Sequence, residues 1–300
     1  MTEPLSRDVI FGTDWYTDCD DCVAARVLAR LSKQGMVNVL GVAVNACNRY
    51  TASSLGAFLE SEGLGDIEIG IDTKSNKSIG IPTYHMRLSK MPSKYRKNSD
   101  CIAAVSLYRK CLAGARGRVD IIEVGFLQVL EQLLKSEPDE YSPLGGTELV
   151  KQKAGRLWSM AGDFSKPQGG KEYNLCGTGA AKKGAAYVFD NWPGEIIMLG
   201  FEVGEKVITG SKLPQDDILA LALKDHLHPQ GRSSWDPMTV LLACTGNEEK
   251  AGYSTVTGTM RVDPDSGANY FTRDPGGRHK YVVKLHGDEW YAGRIDAIIA

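Results

Sequence analysis

Short apolar runs alternate with stretches of helical periodicity along most of this chain, and that alternation restricts it to strands crossed over by helices in a mainly parallel sheet. The runs fall at residues 8–11, 37–44, 67–71, 120–124, 156–160 and 195–199. Between the first two, Val23, Val27, Leu28 and Leu31 fall at helical spacing and Gly35 stands where the helix ends, which predicts a βαβ unit. Helical patterns recur at 51–61, 127–135, 179–191, 216–224 and 237–245, the last with Pro237 in its first turn. From 253 to 285 the pattern changes: Val256, Val262 and the run 281–285 lie between turn signals at 264–267 and 275–277. Antiparallel hairpins beside the main sheet are expected there, followed by a final helix at 289–299. The expected fold class is α/β, a mainly parallel open sheet with helices on both faces and added C-terminal antiparallel hairpins, in one domain over 1–300.

Two segments, 72–100 and 138–153, carry no such pattern. Loops of that length in a compact domain are commonly lids or mobile segments. The first interleaves Arg87, Lys90, Lys94, Arg96 and Lys97 with Tyr84, His85 and Tyr95. It is read either as solvated surface or as a lid bringing Tyr84 or His85 to a ligand.

In open α/β sheets ligands bind beyond the carboxyl ends of the strands, so the turn after the first strand matters most. It reads Gly12-Thr13-Asp14-Trp15-Tyr16-Thr17-Asp18-Cys19-Asp20-Asp21, four carboxylates within eight residues. Such crowding is relieved by a hard divalent cation, calcium or magnesium. Helix capping by Asp18 or Asp20 accounts for one or two of the acids at most. A zinc or redox role for Cys19 and Cys22 lacks a second pair, and the acids around them raise thiol pKa values. An aspartyl phosphatase places its nucleophile directly after the strand, whereas Gly12 and Thr13 follow Phe11 here.

Charge and composition narrow the partner. A formal net charge of −2 gives no basic field for nucleic acid, which favours a small molecule. Seven scattered cysteines in a chain able to bury a large core read as reduced thiols. With no basic-then-apolar leader and no run of about eighteen apolar residues, a membrane span is not expected and the cytoplasm is the expected compartment. Homo-oligomer formation is left open.

The acidic turn resembles the N-terminal motif of the nucleoside hydrolases, the inosine–uridine-preferring N-ribohydrolase family, in its longer variant D-T-D-x-x-T-D-x-D-D. The match runs from Thr13 through Asp21, with Gly12 where the family has its first Asp. Further segments resemble the family in the same order, over roughly residues 8 to 245. They are Val42–Asn48, Gly125-Phe126-Leu127-Gln128 for G-P-L-T, Met160-Ala161-Gly162 for M-G-G, Glu172-Tyr173-Asn174 for E-F-N, Met198–Val203, and Trp235-Asp236-Pro237 for H-D-P.

The resemblance implies a calcium-dependent hydrolysis of the N-glycosidic bond of a ribonucleoside or related N-riboside. It implies Asp14, Asp21, Asp236 and the Gln128 carbonyl as metal ligands, and Asp14 or Asp18 as the base that activates water. Asp20, Asn48 (or Asn45), Met160, Glu172 and Asn174 become substrate contacts, with His85 added from the first long loop and Trp235 or Trp15 as stacking faces. Trp235 stands where the family has a leaving-group histidine, so the acid is sought at His85, His226 or His228, or in a base that departs unaided. Two other readings are a binding protein on the same scaffold, without turnover, and a metal-dependent phosphohydrolase.

Overall fold

The computed structural model describes residues 6–16, 18–77 and 80–300. Thr17 of the acidic turn, Ser78 and Ile79 of the 72–100 segment, and the first five residues lie outside the described residues.

Among the described residues the strands are β1 Arg7–Thr13, β2 Val37–Val44, β3 Ile69–Ile71, β4 Ile102–Ala103, β5 Val119–Glu123, β6 Ala154–Met160, β7 Gln168–Gly170, β8 Ile196–Leu199, β9 Ile208–Thr209, β10 Arg232–Ser233, β11 Tyr253–Val262, β12 Asn269–Arg273 and β13 His279–Lys284. The helices are α1 Asp20–Lys33, α2 Thr51–Ser61, α3 Thr83–Leu88, α4 Ala104–Gly114, α5 Gln128–Leu134, α6 Gly146–Lys153, α7 Tyr173–Cys176, α8 Gly179–Asn191, α9 Phe201–Gly204, α10 Ile218–Asp225, α11 Trp235–Thr245 and α12 Asp288–Ile299.

One sheet runs in the order β4-β3-β2-β1-β5-β6-β8-β13-β11-β12-β7, and β9 and β10 form a small separate ribbon. Pairing is parallel from β4 through β13 and antiparallel beyond it. The α/β expectation thus holds, with one refinement. The C-terminal strands do not pack beside the main sheet but extend it, because β13 pairs in parallel with β8 and carries β11 on its other edge.

Alternate side chains of each central strand face opposite layers. Val9 and Phe11 of β1 pack with Val23, Val27 and Leu28 of α1 and with Leu241 and Leu242 of α11. Ile10 and Ile121 face Leu107 of α4, Leu130 of α5 and Val188 of α8. Leu28 is fully buried in the first of these layers, so truncating it to Ala is expected to cost about 2–5 kcal/mol. No helix among the described residues is long and apolar enough to cross a membrane.

The two segments without periodicity are ordered for identifiable reasons. The first contributes α3, whose Tyr84, His85 and Leu88 are fully buried, with Tyr95 also buried. The second is folded around the buried Arg109, which binds the Asp139 carboxylate and the carbonyls of Ser142 and Leu144 before α6 begins. Among the described residues, both segments therefore carry buried anchors and a helix.

The chain leaves β1 outward through β2, β3 and β4, then returns to β5 and continues to β6 and β8 on the other side. The topological switch lies between β1 and β5, and a crevice opens at their carboxyl ends.

Candidate active site

That crevice holds a cavity of about 390 Å³ whose walls include Asp14, Asp18, Asp20 and Asp21 from the first turn, Asp236 from α11, and Glu172 and Asn174 from α7. Asp14 follows β1 directly, and Asp20 and Asp21 open α1. Asp21 accepts from the Thr13 hydroxyl and, at 3.2 Å, from the Trp15 amide; the Tyr16 amide donates to Asp14 Oδ1 at 3.1 Å. Trp15 sits at φ +46°, a left-handed conformation that costs a bulky residue free energy and folds the turn tightly back on itself. The Trp15 indole secures it from below, fully buried and donating to Ser54 Oγ at 3.0 Å.

Asp20, Asp21 and Asp236 each bring a carboxylate oxygen within 4.8 Å of the other two. The Asp236 amide also donates to Asp20 Oδ2 at 3.1 Å, which docks α11 on the turn. Burial, then the neighbouring charges of Asp21 and Asp20, push Asp14 well above the usual carboxylate range. Burial with the other acids does the same to Asp20 and Asp236. Asp21 is pushed up to about 7, burial outweighing the hydrogen bonds from Thr13 and Trp15. None of these four makes an ion pair with Lys, Arg or His among the described residues, although Arg232 lies close enough to act weakly on Asp20. Buried oxygen donors of one sign, with nothing sulfur- or nitrogen-based among them, suit a hard divalent cation such as calcium.

Asp18 differs. Burial alone would raise its carboxyl, but the hydrogen bonds and charge of Arg232 outweigh burial and hold it below the usual range. Arg232, brought in by β10, makes two-pronged contact with both carboxylate oxygens.

The opposite wall is built on α7. Glu172 caps this helix, its Oε1 accepting from the Asn174 amide at 2.6 Å and its Oε2 from the Gly162 amide at 3.2 Å. Burial raises it to about 7 against those bonds. Asn174 Nδ2 donates to the carbonyls of Val124 at 2.8 Å and Met160 at 3.1 Å, which fixes its amide plane at the cavity edge. Above lie two stacked rings, Phe201 and Trp235, with centroids 5.3 Å apart. The Trp235 Nε1 donates to the Phe201 carbonyl at 2.7 Å, and the Arg232 guanidinium lies 5.0 Å from the Trp235 ring centroid.

Nine of the residues singled out in the sequence therefore share this wall: Asp14, Asp18, Asp20, Asp21, Met160, Glu172, Asn174, Trp235 and Asp236. Asn48, His85 and Gln128 do not line it. Asn48 and His85 bond to each other at 3.1 Å, and burial drives His85 down to about 3. Gln128 opens α5 with its backbone tight against Gly184, and its Nε2 donates to the Asn45 carbonyl at 2.6 Å. Val124, four residues earlier at the end of β5, lines the wall instead. Trp15 is not a stacking face either, since its ring is packed among Phe58, Tyr84 and His85. His226 and His228 are also absent from the lining.

Sequence reasoning missed Arg232, Lys171, Tyr173 and Phe201 as wall residues. Phe201 follows the carboxyl end of β8, and that position was the available signal. Arg232 had none, since its partner Asp18 lies 214 positions away.

Neither a protein-family model nor a curated protein matches the sequence. Solved structures do match in fold. The plant nucleoside hydrolase PpNRh1 superposes with a TM-score of 0.74 at 17% identity, over 99% of each chain. The inosine–uridine preferring nucleoside hydrolase from Bacillus anthracis gives 0.68 at 17% identity, over 97% of this chain and 99% of that one. The type III effector XopQ, solved in complex with adenosine diphosphate ribose, gives 0.67 at 14% identity, over 99% and 94%. The chain has the nucleoside hydrolase fold.

Proposed function

We propose that this protein is a calcium-dependent N-ribohydrolase that cleaves a ribonucleoside or a related N-riboside to ribose and free base. The observation that carries the reading is the convergence of Asp14, Asp20, Asp21 and Asp236 on one cavity at the switch point, opposite a polar wall from Glu172 and Asn174. The shared fold with two nucleoside hydrolases supports it, and so does the ADP-ribose held by XopQ, a ligand whose ribosyl groups match the chemistry of this wall.

In this reading Asp14, Asp21 and Asp236 would hold the cation, which when bound would supply positive charge that lowers the pKa of water. Asp14 takes the proton of the attacking water, whose oxygen bonds to C1′ as the C1′–N bond breaks and its electron pair leaves with the base. Asp20, Glu172 and Asn174 orient the ribose, and the surrounding carboxylates stabilise positive charge growing on the sugar. Asp14 is preferred to Asp18 as the base, because Arg232 lowers the proton affinity of Asp18 and engages both of its carboxylate oxygens. Phe201 and Trp235 offer the flat face for the aglycone.

A panel of purine, pyrimidine and p-nitrophenyl ribosides, assayed for reducing sugar with calcium and with chelator, tests the proposal. Calcium-dependent release is expected. Ligand binding without any release would instead indicate a binding protein, and phosphate release from nucleotides a phosphohydrolase.

A further inference from the structure

We infer that Glu123 is a positioning residue of this site, supplying from β5 the carboxylate that β1 lacks at Gly12; the inference rests on the cation-site reading above. Gly12 and Glu123 are register partners on neighbouring parallel strands. A Cβ placed on Gly12 would lie 2.1 Å from Glu123 Oε2 and 2.6 Å from Oε1. The glutamate carboxylate thus fills the volume that any side chain at position 12 would need.

Three hydrogen-bond donors from three different parts of the chain hold this carboxylate. Oε1 accepts from Asn45 Nδ2 at 2.8 Å and from the Gly125 amide at 3.2 Å, while Oε2 accepts from the Tyr108 hydroxyl at 3.1 Å. Asn45 follows β2, its amide donates to the Thr13 carbonyl at 3.0 Å, and its Oδ1 accepts from the Phe126 amide at 2.9 Å. Gly125 lies so close to the turn that a Cβ there would stand 2.3 Å from the Asp14 nitrogen. Glu123 therefore locks the ends of β1, β2 and β5 together directly beneath Asp14. Loss of such support around metal-site residues typically costs about 10–100-fold in metal affinity or activity. Gly12 accordingly does not mark a lost carboxylate: the acid reaches the same place from the next strand.

Exchange of the two positions tests this. Calcium affinity is measured by calorimetry, and kcat and KM on p-nitrophenyl riboside, for wild type, E123G, E123Q, G12D and the double variant G12D/E123G, with folding followed by circular dichroism. E123G is expected to bind calcium about 10–100-fold more weakly and to lose kcat by a similar factor with KM little changed. E123Q, which keeps the shape and can still accept from Asn45 and Gly125, should recover most of that loss. G12D alone should be the most damaged, since two carboxylates then compete for one volume, and G12D/E123G should bind more tightly than E123G. If E123G fails to fold, recovery of folding in the double variant is the supporting result, and its absence overturns the inference. Wild-type calcium affinity and kcat in E123G, or a double variant no better than E123G, would also overturn it. Calcium affinity is read without turnover, so a wild type that binds calcium but hydrolyses nothing removes the hydrolase reading alone. A wild type that binds no calcium removes both.

Discussion

Asp18 and Arg232 close on each other in a two-pronged ion pair, with Nε 2.8 Å from Oδ1 and Nη2 2.5 Å from Oδ2. Of the two carboxylates that the first turn offers as base, this one is already engaged, while Asp14 makes no ion pair among the described residues. Replacing Asp14 by Asn should lower kcat by about 10²–10⁴, the usual contribution of a general base. Replacing Asp18 by Asn should lower kcat less than about tenfold and act mainly on KM, through the freed Arg232 beside Trp235. Steady-state kinetics on one activated riboside decide it. Equal losses in the two variants would return Asp18 to candidacy.

Proton uptake should stabilise the metal-free protein. Asp21 and Glu172 are raised to about 7, and Glu123 to about 8, chiefly by burial. Between the unfolded values near 4 and these folded values, the native state holds protons that the unfolded chain has released. Stability therefore falls as pH rises through that window. Protein dialysed against chelator should melt at least about 3 °C lower at pH 8 than at pH 5.5, the shift that ~1 kcal/mol produces in a chain of this size. Saturating calcium should narrow the gap, because the cation offsets the same crowded charge. Calorimetric melts that are higher at pH 8 in the metal-free protein would contradict the raised values.

The ribose wall makes a selectivity prediction. Glu172 and Asn174 are both fixed by backbone partners, so neither can swing away when a hydroxyl is missing from the substrate. A 2′-deoxyriboside should then leave buried polar groups unpaired and react with kcat/KM about 100-fold lower or worse. Matched rates on uridine and deoxyuridine, or inosine and deoxyinosine, would show that these side chains do not grip the 2′-hydroxyl.

What the sequence made legible follows the range of the forces involved. Strand and helix periodicity are local, so β1, α1, β2 and α11 could be read directly, as could the charge crowding of Asp14, Asp20 and Asp21. Asp236 was reached through resemblance, and the structure brings it within 4.8 Å of Asp20 and Asp21. Contacts made across the sheet left no local mark. Nothing near Gly12 announces that Glu123 fills its space, and nothing near Arg232 announces Asp18. The 72–100 segment shows no readable period because its buried residues, Tyr84 and His85, are scattered among exposed charged ones. Gln128 turns its side chain to the Asn45 carbonyl and Asp72, and Val124, at the strand end, is the residue of this stretch that lines the cavity, a difference no local pattern marks.

The aglycone face gives the last prediction. Trp235 is pinned, its Nε1 donating to the Phe201 carbonyl at 2.7 Å and its ring stacked on Phe201, and an indole does not donate protons to a leaving group near neutral pH. Burial drives His85 down to about 3, so it is neutral, and it does not line the cavity. Activity should therefore depend steeply on how well the base departs unaided, with p-nitrophenyl riboside turned over much faster than a natural nucleoside. Replacing His85 should alter stability but not the ratio between these substrates. Substituting Trp235 by Phe keeps a ring but loses the Nε1 bond, and it should raise KM more than it lowers kcat; Ala should raise KM further, by about tenfold for ~1.4 kcal/mol of lost stacking. If W235A leaves KM unchanged for every aromatic aglycone while the protein stays folded, the base does not lie against the Phe201–Trp235 pair.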